Sequence, residues 1–191
     1  MTLHIWHTLH ILHHKTMHFN HCVDHDILLS RLQSRFGLDG AVLAWIRSFL
    51  SDRTQRVCFG GCLSAELALI FGVPQGSVLG PLLFLLYTAE LFDIIASLGL
   101  TGHTYGDDTQ VCISAHAVES QQDAIRLAEC IERLERWMGQ NGLKLNAEKT
   151  QLMWLGSRHQ LAKLTVSQLP LATKRRLQLL TYCRLLPYVG R

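Results

Sequence analysis

The residue types best suited to chemistry in this 191-residue chain are two adjacent carboxylates, Asp107 and Asp108, in the run Tyr105-Gly106-Asp107-Asp108-Thr109. Like charges this close repel unless a cation or solvent offsets them, and a divalent metal resolves the conflict. Hard carboxylate oxygens suit Mg²⁺, which keeps several waters and takes one or two protein carboxylates together with substrate phosphates. That is the ligand set of phosphoryl or nucleotidyl transfer by paired metals about 3.5–4 Å apart, one activating the attacking oxygen and one stabilising the leaving group. Gly-Asp-Asp-Thr is equally good turn chemistry, so on the dipeptide alone a plain turn stays open.

Other groups offer less. Eight of the 11 histidines (His4, His7, His10, His13, His14, His18, His21 and His25) fall within residues 1–25. On a helix, His10/His14/His18 and His21/His25 pair at i, i+4, a spacing that can hold Zn²⁺ or Ni²⁺. As low-complexity sequence, the same run is a leader that takes up metal nonspecifically. Of the 6 cysteines, Cys58 and Cys62 are the closest in sequence, yet no second pair follows at zinc-finger spacing, which favours an incidental pair. The spread of cysteines fits a reducing compartment, and the N-terminus lacks the basic start and unbroken apolar run of a signal peptide. The expectation is an intracellular protein of nucleus or cytoplasm, not secreted.

The elements that must hold the two aspartates follow from pattern. His103 to Tyr105 and Thr109 to Ser114 are β-type runs on either side of the acidic turn. Upstream, Asp24 or His25 starts a helix with Ile27, Leu28, Leu32 and Phe36 at helical spacing, which Gly37 ends. Asp39 caps a second helix carrying Val42, Leu43, Ile46, Phe49 and Leu50. Arg56 to Phe59 and Glu66 to Phe71 flank Gly60-Gly61 as a hairpin-like unit, and beyond Pro74 one long apolar helix is predicted from about residue 77 to 96. That segment is long enough to span a bilayer, but Pro81, Glu90 and Asp93 within it argue for a buried core helix and against a membrane partner. An amphipathic helix over about 118–138 carries Ile125, Ala128, Ile131, Leu134 and Met138 on one stripe, with Glu129/Arg133 and Glu132/Arg136 on the wet side. Thr150 to Leu155 is a last strand candidate.

Composition sets the frame. At 48% hydrophobic and 17% charged, with a mean hydropathy of +0.15, the chain can build one domain's core and is not a disordered polymer. The net charge of +3 hides an asymmetry: residues 1–148 hold 10 Lys/Arg against 15 Asp/Glu, whereas 149–191 hold 8 Lys/Arg and no acid. The basic run Lys174-Arg175-Arg176 suits a nucleic-acid backbone or a solvated end.

Tyr105-Gly106-Asp107-Asp108 is preceded by Gly72-Val73-Pro74-Gln75-Gly76-Ser77-Val78-Leu79-Gly80-Pro81 and followed by Gly142-Leu143-Lys144-Leu145-Asn146 and Glu148-Lys149-Thr150. Together with Val23-Asp24-His25-Asp26-Ile27-Leu28-Leu29, these blocks strongly resemble the reverse transcriptases of non-LTR (LINE-type) retrotransposons, nearest to jockey-like or chicken-repeat-like elements. The resemblance covers about residues 23–157. It implies an α+β palm fragment, a small antiparallel sheet backed by helices, with RNA-directed DNA polymerase activity on an RNA template, a DNA primer and deoxynucleoside triphosphates. It also implies Mg²⁺ or Mn²⁺ on Asp107 and Asp108. Pro74, Gln75, Gly76 and Tyr105 then lie at template and nucleotide, where a side chain at Gly76 would obstruct nucleic acid. Lys149, or in second place Lys144, stands behind the triphosphate.

One departure matters. The resemblance calls for a catalytic aspartate on a strand ahead of the Phe19-Asn20 pair, but counting back reaches His14 with one inserted residue or Lys15 without it. No acid precedes Asp24, and Asp24 or Asp26 could substitute only through a rearranged backbone. The expectation from the resemblance is a palm remnant without the fingers that would precede this block or the thumb that would follow residue 156. The expected organisation is a disordered His-rich leader (1–22), a palm-like domain (23–157) and an unassigned basic tail (158–191), with residues 1–20 and about 160–191 poorly packed. Three functions follow: a catalytically impaired reverse transcriptase fragment that binds metal weakly, a non-catalytic palm remnant with residual nucleic-acid binding, or a His-rich metal-binding protein.

Overall fold

The structure, a computed structural model, describes residues 3–12, 22–74, 76–105, 108–115, 120–145, 151–163 and 178–183. In chain order the elements are β1 (Leu3–Leu12), α1 (His25–Ser34), α2 (Gly40–Leu50), β2 (Thr54–Gln55), β3 (Cys58–Phe59), β4 (Cys62–Leu63), β5 (Leu67–Ala68), α3 (Leu79–Tyr87), α4 (Glu90–Ser97), β6 (Thr101–Tyr105), β7 (Asp108–Ala115), α5 (Ser120–Gln140), β8 (Lys144–Leu145), β9 (Gln151–Gly156), α6 (Arg158–Leu161) and β10 (Gln178–Cys183). They divide into a sheet unit (Met1–Leu12, Glu90–Gly139, Lys144–Arg191) and a helical unit (His13–Ala89, Gln140–Leu143).

The sheet unit is α+β, with strand order β10-β9-β1-β7-β6 and β8 paired to β1. All its pairings are antiparallel except β9 with β10. Strand periodicity decides its faces: Thr109, Val111 and Ile113 on β7 are buried, and Trp154 on β9 is fully so. Leu91 and Ile95 of α4 and Leu127, Ala128, Ile131, Leu134 and Met138 of α5 are buried as well. The α5 stripe differs from the sequence expectation at one position, since Ile125 is exposed and Ala124 is buried. Helix α4 lies close on β6 at Gly102, where an added Cβ would come within 2.9 Å of Ile95 Cδ1. Trp137 Nε1 donates to Glu90 Oε2 at 2.8 Å, and Arg126 Nη2 donates to the Leu98 carbonyl at 2.7 Å. These contacts run in opposite order along the two helices, so α4 and α5 are antiparallel.

Part of the stretch read as a His-rich leader is a strand. Residues 3–12 form β1, paired with β7 on one side and β9 on the other. Leu3, Ile5, Leu9 and Ile11 recur with period two, and Ile5 stands in register with both Ile113 and Trp154, two buried residues. The three-residue rhythm of the histidines masks that alternation. His10 therefore stands in a strand, not in the helix that its i, i+4 pairing needs, and His14 and His18 lie outside the described residues. The C-terminal tail likewise contributes α6 and β10, the latter in parallel register with β9.

In the helical unit, Asp24 caps α1 by accepting from the amides of Asp26 and Ile27, both at 3.0 Å. Leu28, Leu29 and Leu32 are buried, and Gly37 ends the helix at a φ of +66°. Asp39 occupies the N-cap position of α2 without a side-chain cap bond. Of the apolar residues expected inside on α2, Ile46 and Leu50 are buried while Val42 is exposed. The hairpin-like unit resolves into β2 with β5 and β3 with β4, closed by Gly60-Gly61, both at positive φ. Cys58 pairs with Leu63 and Cys62 with Phe59, so the two exposed thiols lie on opposite faces of the ribbon and form no metal pair.

The single long helix expected over 77–96 is two helices, α3 and α4, separated at Thr88-Ala89. The Thr88 hydroxyl bonds back to the carbonyls of Phe84 (3.0 Å) and Leu85 (3.3 Å), giving the backbone an alternative to helix continuation. Leu79–Ser97 passes a length-and-composition test for a membrane span, but its interruption and the burial of Leu83, Phe84, Tyr87, Leu91 and Ile95 are the pattern of core helices.

Candidate active site

The acidic turn sits at the end of the β6–β7 hairpin. Tyr105 pairs with Asp108, Thr104 with Thr109 and His103 with Gln110, and the Thr104 and Thr109 hydroxyls lie 3.2 Å apart. Thr109, Val111 and Ile113 take the core face, so alternation assigns Asp108, Gln110, Cys112 and Ser114 to the other. Tyr105 is 89% exposed and Asp108 half-buried. On the same strand, burial pushes the Cys112 thiol above its ordinary value. Gly106 and Asp107 lie outside the described residues.

The neighbouring strand decides what can join Asp108. Register places His10 of β1 opposite it, and β1 contains no acid. His14 and Lys15, the positions reached by counting, lie outside the described residues. Asp24 belongs to the helical unit, where its Oδ1 holds two amides at the start of α1.

The Pro74-Gln75-Gly76 segment belongs to the helical unit. Gln75 lies outside the described residues. The Pro74 carbonyl accepts from the Ser77 amide (3.3 Å) and hydroxyl (2.7 Å), and Ser77 Oγ in turn accepts from the Gly80 amide at 3.0 Å, capping α3. Gly76 has a φ of +77° with open space where a Cβ would stand. Backbone conformation alone therefore calls for glycine there. Just upstream, the Gly72 carbonyl accepts from His25 Nε2 (2.7 Å) and Arg53 Nη1 (3.0 Å), and burial holds the Arg53 guanidinium below its ordinary value. Sequence reasoning missed both donors. His25 carried a signal, as the histidine of Val-Asp-His, whereas Arg53 carried none. Lys149 lies outside the described residues, and Lys144 is exposed on β8.

The structure thus joins Tyr105 and Asp108 in one ladder and places Pro74 and Gly76 in one turn of the other unit. A profile of the family described as reverse transcriptase (RNA-dependent DNA polymerase) matches residues 17–180. The RNA-directed DNA polymerase from mobile element jockey of Drosophila funebris is 33% identical over 109 residues, 54% of this chain and 12% of that protein. The probable RNA-directed DNA polymerase from transposon BS of Drosophila melanogaster is 31% identical over 131 residues, 66% of this chain and 14% of that protein. The chain therefore spans only a small part of the length of these relatives. Family members in general use divalent metals and work on a nucleic-acid template with deoxynucleoside triphosphates.

Among the described residues the donor set is incomplete for a paired-metal centre, since Asp107 lies outside them. Among the described residues no three His, Cys, Asp or Glu side chains group to hold a metal ion. The position in register with Asp108 on β1 is His10, not a carboxylate. What remains firm is ancestry: the match over residues 17–180, with the hairpin that carries Asp108, places this chain in the reverse transcriptase family, beside its jockey-type mobile-element members.

Proposed function

We propose that the chain is the palm segment of a non-LTR retrotransposon reverse transcriptase and that its own DNA synthesis is impaired. In this reading Tyr105 of the sheet unit and the Pro74-Gln75-Gly76 turn of the helical unit are each contacts for RNA template, DNA primer and deoxynucleoside triphosphate, with Lys149 toward the triphosphate. Asp107 and Asp108 bind Mg²⁺ or Mn²⁺ weakly. The observation that carries the impairment is the β1–β7 register, which sets His10 and no acid against Asp108. Loss of an outer supporting partner alone costs about 10–100-fold at a metal site, so loss of a direct carboxylate ligand costs at least that. The spread of the cysteines, without the spacing of a disulfide scaffold, supports a reducing, intracellular location.

Primer extension on an RNA template, run with Mg²⁺ and separately with Mn²⁺, tests the reading against an Asp107→Ala/Asp108→Ala double variant. Both proteins should extend at background. Synthesis by the parent chain well above the variant would overturn the impairment and restore the enzyme reading.

A further inference from the structure

The Gly72 carbonyl, just ahead of the Pro74-Gln75-Gly76 turn, accepts two long-range side-chain hydrogen bonds. It takes the imidazole N–H of His25 at 2.7 Å and a guanidinium N–H of Arg53 at 3.0 Å, filling both lone pairs. Its own amide donates to the Val23 carbonyl at 2.7 Å, and Asp24 forms an antiparallel bridge with Phe71. His25 is the first residue of α1, and the Asp24 carboxylate fixes that helix start. Downstream, Val73 is 1% exposed and Ser77 ties Pro74 to α3. The turn is therefore held at both ends, at one by groups 47 residues away in sequence and at the other by a local cap.

We propose that His25 is a positioning residue for the Val73–Ser77 turn: with Arg53 it clamps the Gly72 carbonyl, so that Val23-Asp24-His25 and the Pro-Gln-Gly segment act as one device for presenting that turn. The clamp stands on geometry alone, while its use for nucleic acid rests on the function proposed above. Losing one buried or half-buried hydrogen bond changes a local opening equilibrium by about tenfold.

Hydrogen exchange read by mass spectrometry on the full chain tests this. His25→Ala should speed exchange of the peptide covering residues 73–77 about tenfold while leaving α2 unchanged. His25→Gln, whose amide N–H can reach the same carbonyl, should restore most of the protection. If His25→Ala does not fold, Arg53→Ala removes the second donor and should loosen the same peptide. An unchanged 73–77 peptide, or equal acceleration of α1, α2 and α3 in both His25 variants, would overturn the proposal. Anisotropy with an RNA–DNA template-primer separates the two readings: faster exchange with unaltered binding upholds the clamp and removes the nucleic-acid role of the turn.

Discussion

Asp24 has a structural task at one carboxylate oxygen. Its Oδ1 accepts from two amides at the start of α1, so it serves as that helix's cap. Asp24→Ala should cost about 1 kcal/mol of stability. Asp24→Asn keeps an acceptor and should cost less, and neither variant should alter Mg²⁺ binding by titration. Cys130 gives a pH signature of the opposite kind. It is fully buried at 0% exposure, and burial pushes its thiol up to about 12 from an ordinary 9.0. The folded state thus holds the proton more tightly than the unfolded chain. The stability linked to it is complete below about pH 9 and is lost as pH rises toward about 12. Urea unfolding between pH 8.5 and 10.5 should show falling stability, and Cys130→Ala should flatten that slope.

Elements in the helical unit are joined through one buried cation. Arg31, 8% exposed, donates from Nη1 to the Tyr87 carbonyl (2.8 Å) and from Nη2 to Asn141 Oδ1 (2.7 Å), with its guanidinium 4.9 Å from the Tyr87 ring centroid. The Tyr87 hydroxyl donates to the Asn141 carbonyl at 2.9 Å, which closes a network between α1, α3 and the Asn141-Gly142 turn. Arg31→Ala strands these acceptors and should cost about 3 kcal/mol in chemical denaturation. In the sheet unit the test is covalent. Cys112 stands opposite Trp6, and facing antiparallel positions meet the Cα separation a disulfide needs. Oxidised Trp6→Cys should form a bond to Cys112 seen by peptide mapping, and its absence would remove β1 from its place beside β7. Strong local signals made most elements legible in the sequence: the Asp24 cap, Gly60-Gly61, the α5 stripe and the β-runs around the acidic turn. Long-range partners were not legible. The break at Thr88 depends on a hydroxyl choosing carbonyls, β1 on strands more than 90 residues away, and the His25 and Arg53 clamp on folding that carries them to Gly72.

At the scale of the whole molecule the charge distribution is at odds with a polyanionic partner. Residues 1–148, which carry the acidic turn and the Pro-Gln-Gly segment, have 10 Lys/Arg against 15 Asp/Glu, while 149–191 hold 8 Lys/Arg and no acid. Under the proposed function, long-range attraction for template-primer then falls to the C-terminal segment, with Lys174-Arg175-Arg176 its densest part. Truncation is a poor test because β10 begins at Gln178 and pairs with β9, so deleting the tail also deletes a sheet strand. Charge substitution leaves that strand in place. Each phosphate neutralised contributes about 0.7–0.9 to the slope of log affinity against log salt. Lys174→Ala/Arg175→Ala/Arg176→Ala should therefore flatten that slope by about 2, with a larger loss of affinity at 50 mM salt than at 200 mM. Fluorescence anisotropy with a labelled RNA–DNA template-primer reads both quantities. Equal slopes for the two proteins would place the phosphate contacts on other cations, and the basic run would then be a solvated connection into β10.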